Sequence, residues 1–340
     1  MQALRIQSLD PAYNLALEQC LFDDLKQDDP GWLLIWRNGP SVIVGRHQNT
    51  LEEINEAFVR EKNIPVIRRE TGGGAVYHDE GNLNFSFLTS LKKNERADFA
   101  PFMRLMVDAL ADLNIKAEFT SRNDITVAGR KVSGCAQRRS GEKVLHHGTM
   151  LVDLDMSVLG QILTGNPDKY RSKGVSSLRS RVANLREFMA PELDRDTCLA
   201  MLADAMIARC ADGEALLPTE TASRAGELAD RKYRTWEWNY GKSPAFTTRI
   251  RERFPWGAVD CRFDVQNGII RACRIFGDFF SSRNVADIEN ILTGIKFTAD
   301  DIRAALTRLP YPLEEYFTGA PGEEIAAFLS GETDVHAKES

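Results

Sequence analysis

The sequence predicts an α+β protein with a second, smaller α+β domain, and three observations carry that prediction. β-like runs such as "WLLIWRN", "SVIVG" and "NLNFSFLT" alternate apolar and polar residues or are wholly apolar. Some of these runs follow one another directly, separated only by short turns, while helical patterns stand apart from them. Beyond about residue 247 the character changes to one β-like stretch followed by short helices. From Ala286 onward, eleven acidic residues stand against four basic ones. The expected division is a first domain over 1–247 and a small domain over 248–340. At 340 residues, one large or two modest domains are expected.

Taken in order, Asp10 caps a first helix in "LDPAYNLALEQCLFDDLK", and Pro11 suits its first turn. Leu17, Cys20, Leu21 and Leu25 fall on one face of it. Asn38-Gly39-Pro40 between "WLLIWRN" and "SVIVG" predicts a hairpin. "IPVIRR" is a strand feeding Gly72-Gly73-Gly74, and "NLNFSFLT" leads away, with Leu83, Phe85 and Phe87 alternating against Asn84 and Ser86. A helix follows from about Phe102 to Leu113. "DITVAGRKVSGCAQRRSGEKVLHHGTMLVDLD" reads as three strands with turns at Ala128-Gly129 and Ser140-Gly141. From Thr164 to Arg186, six Lys or Arg stand against one Asp without a clear period, as in a long loop that is functional or disordered. Helical pattern returns from Asp194 to Cys210, and "TWEWNYGKSPAF" ends the first region. Past it, the β-like stretch turns at Asn267-Gly268. Short helices are expected around Ile288, after the capping box Thr298…Asp301, and near Glu324.

The bulk composition excludes several classes. Hydrophobic residues make up 43% and charged residues 27%, ordinary for a globular protein. No apolar run approaches the ~20 residues of a membrane span. The opening "MQALRIQSLDPAYN" lacks the apolar core of a secretory signal. The six cysteines form no CxxC pair and read as reduced, mostly buried thiols of a cytoplasmic protein. A net charge of −6 argues against nucleic acid as a partner. There is no P-loop, no GxGxxG after a strand, no HExxH and no paired CxxC metal site.

The chemistry concentrates in four stretches. In "RRETGGGAVYHDEGNLNFSF", three glycines let backbone approach a ligand, and their free N–H groups can cup an anion. Arg68 and Arg69 precede them, and an arginine fork suits phosphate or carboxylate. Taken alone, the stretch fits equally a glycine bulge at a sheet edge, and His78-Asp79 fits a structural pair. In "RNDITVAGRKVSGCAQ", Lys131 stands beside small residues and can hold an oxyanion, although a lone strand lysine is more often solvated. In "HHGTMLV", His146 and His147 could share a metal, but no third ligand accompanies them. The fourth is the basic loop from Lys169 to Arg181.

In this order, "PAYNLALEQCLF", "LLIWRN…SVIVGRHQN", "RRETGGGAVYHDEGNLNFSF", "RNDITVAGRKVSGCA", "HHGTMLV", "KGVSSLRSRVANL" and "WEWNYGKSPAF" resemble lipoate–protein ligase A. The RRxxGGGxVxHDxGN pattern together with the ND…RKVSG lysine is specific. The resemblance covers the first region nearly end to end, and the C-terminal part looks like that family's accessory domain by weaker motifs. It implies a mixed β-sheet flanked by helices, shared with biotin ligases and lipoyl or octanoyl transferases.

It also implies a reaction: ATP and lipoate form lipoyl-adenylate, and the lipoyl group then passes to a lysine of an acceptor protein. The implied acceptors are lipoyl domains, such as the E2 subunits of 2-oxoacid dehydrogenases, and the glycine cleavage H protein. Lys131 takes the catalytic place. Arg69, Gly74, Ala75, Val76, Tyr77, Asn82, Asp124 and Lys131 match the ATP and adenylate positions, and Asp124 is a Mg²⁺ candidate. Trp36, Gly73, Gly74, His78, Lys131, Ala136, His147 and Gly148 match a lipoyl channel, which needs apolar walls and few polar groups. The basic loop looks like the family's adenylate lid.

Two departures carry expectations of their own. Glu70 brings a negative charge beside the glycines, so its side chain should point away. Cys135, four residues after Lys131, invites a nucleophile reading, but a thiol in an apolar strand is more often inert. Arg138, Arg139 and Lys143 form a basic rim suited to an acidic acceptor. The alternatives are an ATP-independent transferase of the same fold and a non-catalytic lipoyl-binding module. A biotin ligase would carry a GRGRxxR-like loop, which is absent here.

Overall fold

A computed structural model of the chain describes residues 1–91, 98–120, 123–162, 181–240, 248–266 and 268–331. It divides into two compact units. The first comprises Met1–Val44, Thr50–Glu70 and Ala75–Tyr240. The second comprises Gly45–Asn49, Thr71–Gly74 and Gly241–Ser340. The expected boundary near 247 falls among 241–247, outside the described residues, as does most of the basic loop from Lys169 to Arg181.

Within the first unit, the described residues form an eight-stranded mixed sheet. Its strands in chain order are β1 (Gln2–Arg5), β2 (Trp32–Trp36), β6 (Asn82–Ser90), β7 (Ala117–Phe119), β8 (Asp124–Val127), β9 (Arg130–Ser140), β10 (Lys143–Leu151) and β11 (Gly213–Glu214). In space they run β11-β1-β2-β6-β10-β9-β8-β7. The β11–β1 and β1–β2 pairs are parallel and the others antiparallel. The three-strand meander read from "DITV…LVDLD" is present, with positive φ at Ala128, Gly129 and Gly141. A smaller sheet holds β3 (Ser41–Val44) between β4 (Val66–Arg68) and β5 (Val76–His78).

The hairpin expected at Asn38-Gly39-Pro40 does not form. β2 lies between β1 and β6, so both its edges are taken, and β3 belongs to the smaller sheet. The corner is held by Asn14, whose Nδ2 donates to Ser8 O (2.8 Å), Arg37 O (2.8 Å) and Asn38 Oδ1 (3.0 Å). The turn signal was real, but it marks a change of sheet.

Helices cover both faces of the large sheet. The Pro11–Asp24 helix starts where Asp10 accepts from the Ala12 N–H at 2.9 Å. Its Leu15, Leu17 and Leu21 pack with Leu34, Trp36, Leu88 and Leu145, and with Ile43 and Ile67 of the smaller sheet. The helices Ala100–Asp112 and Arg195–Cys210 cover the other face. Met103, Met106, Leu199, Leu202 and Met206 pack there on Leu33, Ile35, Leu83, Phe85 and Phe87. The strand "NLNFSFLTS" is therefore buried on both sides from Asn82 to Leu88, and its polar residues face protein rather than solvent.

The second unit has an antiparallel sheet, β12 (Thr248–Phe254), β13 (Gly257–Gln266) and β14 (Ile269–Gly277). Val259, Cys261, Phe263 and Ile275 pack there against Ile288, Ile302, Ile325 and Phe328 of short helices. Thr298 caps one of these, accepting from Asp301 N–H at 3.2 Å. Among the described residues, no helix is long and apolar enough to cross a membrane.

Candidate active site

Side chains directly opposite one another in an antiparallel ladder share a face of the sheet. The register makes one such row across five strands: Asp124 opposite Gly134, Gly134 opposite Thr149, Thr149 opposite Asn84, and Asn84 opposite Trp36. The next row on that face sets Ala136 opposite His147, His147 opposite Ser86, and Ser86 opposite Leu34. Predicted residues from three stretches of sequence thus meet on one surface, the side of the Pro11–Asp24 helix.

Lys131 stands at one end of the row. Its Nζ lies 2.8 Å from Asp124 Oδ1, and both side chains are partly exposed. A register shift between Ile125 and Thr126 puts Thr126 opposite Lys131 and Ile125 opposite Ser133, so one extra residue enters β9. The bulge lets Lys131 lean over Gly134, where an added Cβ would stand 2.9 Å from Nζ and 3.0 Å from Cε. Gly134 clears the path of the lysine. The Lys131 main chain is held on the other side, its N–H donating to Arg181 O (2.7 Å) and its O accepting from Ala183 (2.9 Å).

At the other end, Trp36 Nε1 donates to Ser86 Oγ (2.9 Å), and Ser86 Oγ donates to Glu18 Oε1 (2.6 Å). Glu18 also meets His147 Nδ1, at 2.9 Å. Glu18 is buried, so its carboxyl group needs these partners. Sequence reading missed Glu18, Ser86 and Asn84. Glu18 looks like any polar residue in a helix, and the other two were read as the polar side of an alternation.

The smaller sheet contributes Arg69, Tyr77 and His78. The Arg69 guanidinium donates to Ile43 O at 3.2 Å. Burial lowers its pKa to about 10 against the favourable field of Glu18, and it remains charged at neutral pH. The His78 ring stands edge-on to Trp36, centroids 6.5 Å apart. Asn38 Nδ2 is 3.1 Å from its Nδ1, and Nε2 is buried without a hydrogen-bond partner among the described residues. Burial, then Arg69 and His147, push its pKa down to about 3, so the ring is neutral. Tyr77, raised to about 12 mainly by burial, stays a phenol; it packs with Val42, Val44 and Leu151. Ala75 and Val76 precede it, half-buried. Asn82, at the start of β6, donates to Asn84 Oδ1 at 2.8 Å.

Several predicted residues lie elsewhere. Gly148 faces the opposite side of the sheet, where an added Cβ would run into Cys135 Sγ and the Phe85 ring. Its missing side chain makes room for packing there. Arg68 also differs from Arg69. Its Nε donates to Trp238 O (3.0 Å), and its Nη2 to Thr50 Oγ1 (2.6 Å) and Asn239 O (2.9 Å). Those donors are spent on two main-chain carbonyls and the Thr50 hydroxyl. Glu70 turns to Lys232, with Arg138 Nη1 at 3.8 Å. The basic rim is therefore partly committed: Arg138 also stacks over Phe22, and Lys143 Nζ donates to Asp23 O (2.5 Å).

Gly73 and Gly74 belong to the second unit. Gly73 has φ +92°, which demands glycine, and its N–H donates to Phe279 O at 3.4 Å. Cys135 is buried beside Met103 Sδ (3.2 Å), and burial pushes its thiol up to about 12. That thiol is no nucleophile at neutral pH. His146 points away from His147, between Phe99 and Phe102, and the pair does not converge on a metal. Among the described residues, no cluster of three or more His, Cys, Asp or Glu could hold a metal ion.

Comparison with known proteins now places the chain. Residues 10–207 match the lipoyl protein ligase A/B catalytic domain, and residues 243–329 match the bacterial lipoate protein ligase C-terminus. Those two matches define the class as that of lipoyl ligases. A lipoate–protein ligase 1 of Staphylococcus aureus is 39% identical over 321 residues, 94% of this chain and 97% of that protein. The crystal structure of P. falciparum LipL1 in complex with lipoate superposes with a TM-score of 0.79 at 26% identity, covering 97% of this chain and 99% of that one. A lipoate–protein ligase A bound with ATP superposes at 0.60 with 29% identity, covering 71% of this chain and 98% of that one. The chain belongs to the lipoate–protein ligase family and is an enzyme, a ligase of protein lipoylation.

Proposed function

We propose that the enzyme activates lipoate with ATP and passes the lipoyl group to a lysine of a lipoyl-domain acceptor. In the first step a lipoate carboxylate oxygen attacks the α-phosphorus and pyrophosphate leaves, giving lipoyl-AMP. In the second, the deprotonated acceptor amine attacks the carbonyl carbon, the bond to AMP breaks, and an amide forms. Both steps build negative charge on oxygens, so a fixed cation at the reacting carbon is the main requirement.

The observation that carries this reading is the row from Lys131 to Trp36. Lys131 offers a positive charge at one end, while Asp124 keeps it aimed across the open Gly134 position. Trp36, Ala136, His147 and neutral His78 offer a largely apolar wall at the other. From β9 to β2 the row crosses three strand spacings, about 14 Å. That length suits an extended medium-chain acid with its carboxylate at Lys131.

Arg69 is assigned to the nucleotide phosphates, with Asn82 and the Ala75–Tyr77 stretch of the same unit. ATP arrives with Mg²⁺, which neutralises phosphate charge when bound. A single carboxylate such as Asp124 suits a hydrated Mg²⁺ delivered on the phosphates rather than a resident site. The acceptors proposed are E2 lipoyl domains and the glycine cleavage H protein, in the cytoplasm, with the C-terminal domain serving as an accessory. An assay of lipoate-dependent pyrophosphate release from ATP tests the first step. Release is expected; transfer to an acceptor without it would establish the ATP-independent alternative instead.

A further inference from the structure

Arg68, Arg69 and Glu70 are consecutive, yet the Arg69 guanidinium donates to Ile43 O and acts electrostatically on Glu18 and His78. The two neighbours of Arg69 are both bound by the segment Ala229–Asn239, which comprises a π-helical turn and the short helix Trp236–Asn239. Asn239 Oδ1 accepts the Arg68 N–H at 2.8 Å, and Trp238 Nε1 donates to Arg68 O at 2.8 Å. The Arg68 guanidinium returns the contact to the carbonyls of both residues. Thr50 Oγ1 donates to Asn239 O at 2.5 Å, and Asn239 Nδ2 donates to Tyr233 O at 2.7 Å. Lys232, whose Nζ sits 4.0 Å over the Trp238 ring, takes the Glu70 carboxylate and Gln19 Oε1 (2.8 Å).

The peptide joining Arg68 to Arg69 is thus gripped from both sides. Its carbonyl is fixed by the Trp238 indole, and its N–H donates to Val44 O at 3.0 Å. Along an extended chain, alternate residues point opposite ways. Anchoring 68 and 70 on one side therefore directs 69 to the other. This grip is far larger than strand Val66–Arg68 needs, since its ladder with β3 already holds Val66, Ile67 and Arg68. π-Helical turns are uncommon and tend to sit at functional sites.

We propose that Trp238 and Asn239 are positioning residues for nucleotide activation, setting the Arg69 guanidinium through the Arg68–Arg69 peptide. The inference rests on Arg69 serving the phosphates. Asn239→Leu keeps the side-chain size and removes both hydrogen bonds. Trp238→Phe removes only the indole donor. In the pyrophosphate-release assay with full-length enzyme, each is expected to raise the KM for ATP, Asn239→Leu by about tenfold, since small misplacements are costly in such steps. KM for lipoate should change by less than about twofold, because Arg69 is not assigned to the acyl chain. Asn239→Asp, which keeps the acceptor for the Arg68 N–H, should recover most of the loss.

Combined with Arg69→Ala, Asn239→Leu should add nothing further to KM for ATP, the mark of residues acting as one unit. A merely structural role would lower Tm and the active fraction and leave both KM values in place, and that result overturns the inference. If Asn239→Leu does not fold, Trp238→Phe decides on the same readout. An unchanged KM for ATP in Arg69→Ala would instead overturn the assignment of Arg69 itself, while a raised KM there with unchanged values in the Trp238 and Asn239 variants would overturn this inference alone.

Discussion

The two faces of the large sheet are made from the same strands yet do opposite work, and His146 and His147 mark the difference. On one face His147 meets Glu18, which also holds Ser86 and through it Trp36. On the other, His146 sits between Phe99 and Phe102, and neither ring nitrogen has a hydrogen-bond partner among the described residues. One face keeps this hydrogen-bonded cluster beside the row that ends at Lys131; the other is a packed core of Phe85, Phe87, Met103, Met106 and Leu202. Burial alone therefore does not mark the site, since both histidines are buried. A hydrogen-bonded polar cluster on the face that also carries a cation does.

The largest expected effect breaks that row at its charged end. Lys131→Ala should lower lipoate-dependent pyrophosphate release by about 10²–10³-fold, the range for removing one transition-state donor, with Tm nearly unchanged because the side chain is partly exposed. Two glycines then set the faces against each other. Gly134→Ala should cut activity several-fold with little loss of stability, because its Cβ meets only the flexible end of Lys131. Gly148→Ala should do the reverse, costing about 1–3 kcal/mol by overpacking against Cys135 and Phe85. Denaturant titrations beside rate assays separate the two outcomes.

A smaller effect is read in acid. Burial holds His146 near a pKa of about 3, against 6.5 as its ordinary value. The folded form binds fewer protons than the unfolded chain between those values. Stability is therefore full above pH 6.5 and falls as pH drops toward 3. His78 acts in the same direction. His146→Phe should flatten this limb, sparing up to about 2 kcal/mol at pH 5 relative to wild type; equal acid losses in both proteins would count against a neutral His146. Smallest of all, Cys135→Ser should retain most activity, since a thiol raised to about 12 is protonated in the working enzyme. Near-total loss would restore the nucleophile reading.

Much of this was legible in the residues. The Asp10 cap, the meander through Lys131 and the strand into Gly72 follow from local turn and period signals, which do not depend on distant partners. What failed depended on such partners. Nothing in "WLLIWRNGPSVIV" tells that both edges of the first strand are already occupied, so the hairpin was the natural expectation. Arg68 and Arg69 look equivalent in sequence. The Trp238–Asn239 segment, about 170 residues away, binds Arg68, while the Arg69 guanidinium donates to Ile43 O. Glu18 carried no local signal at all, because its meaning comes from Ser86 and His147 across the fold. Asn84 and Ser86 gave no signal of their own, because alternation ordinarily accompanies a half-exposed strand, whereas this one is buried from Asn82 to Leu88.

The most direct test of the account is made on the acceptor. The full-length enzyme is incubated with ATP, Mg²⁺, lipoate and an apo lipoyl domain, and the domain is weighed by mass spectrometry, with Lys131→Ala run in parallel. A gain of one lipoyl group on the acceptor with wild type, requiring ATP and nearly abolished in Lys131→Ala, is the predicted result. An acceptor that gains the lipoyl group equally well with the Lys131→Ala enzyme would contradict the row from Lys131 to Trp36 as the active site.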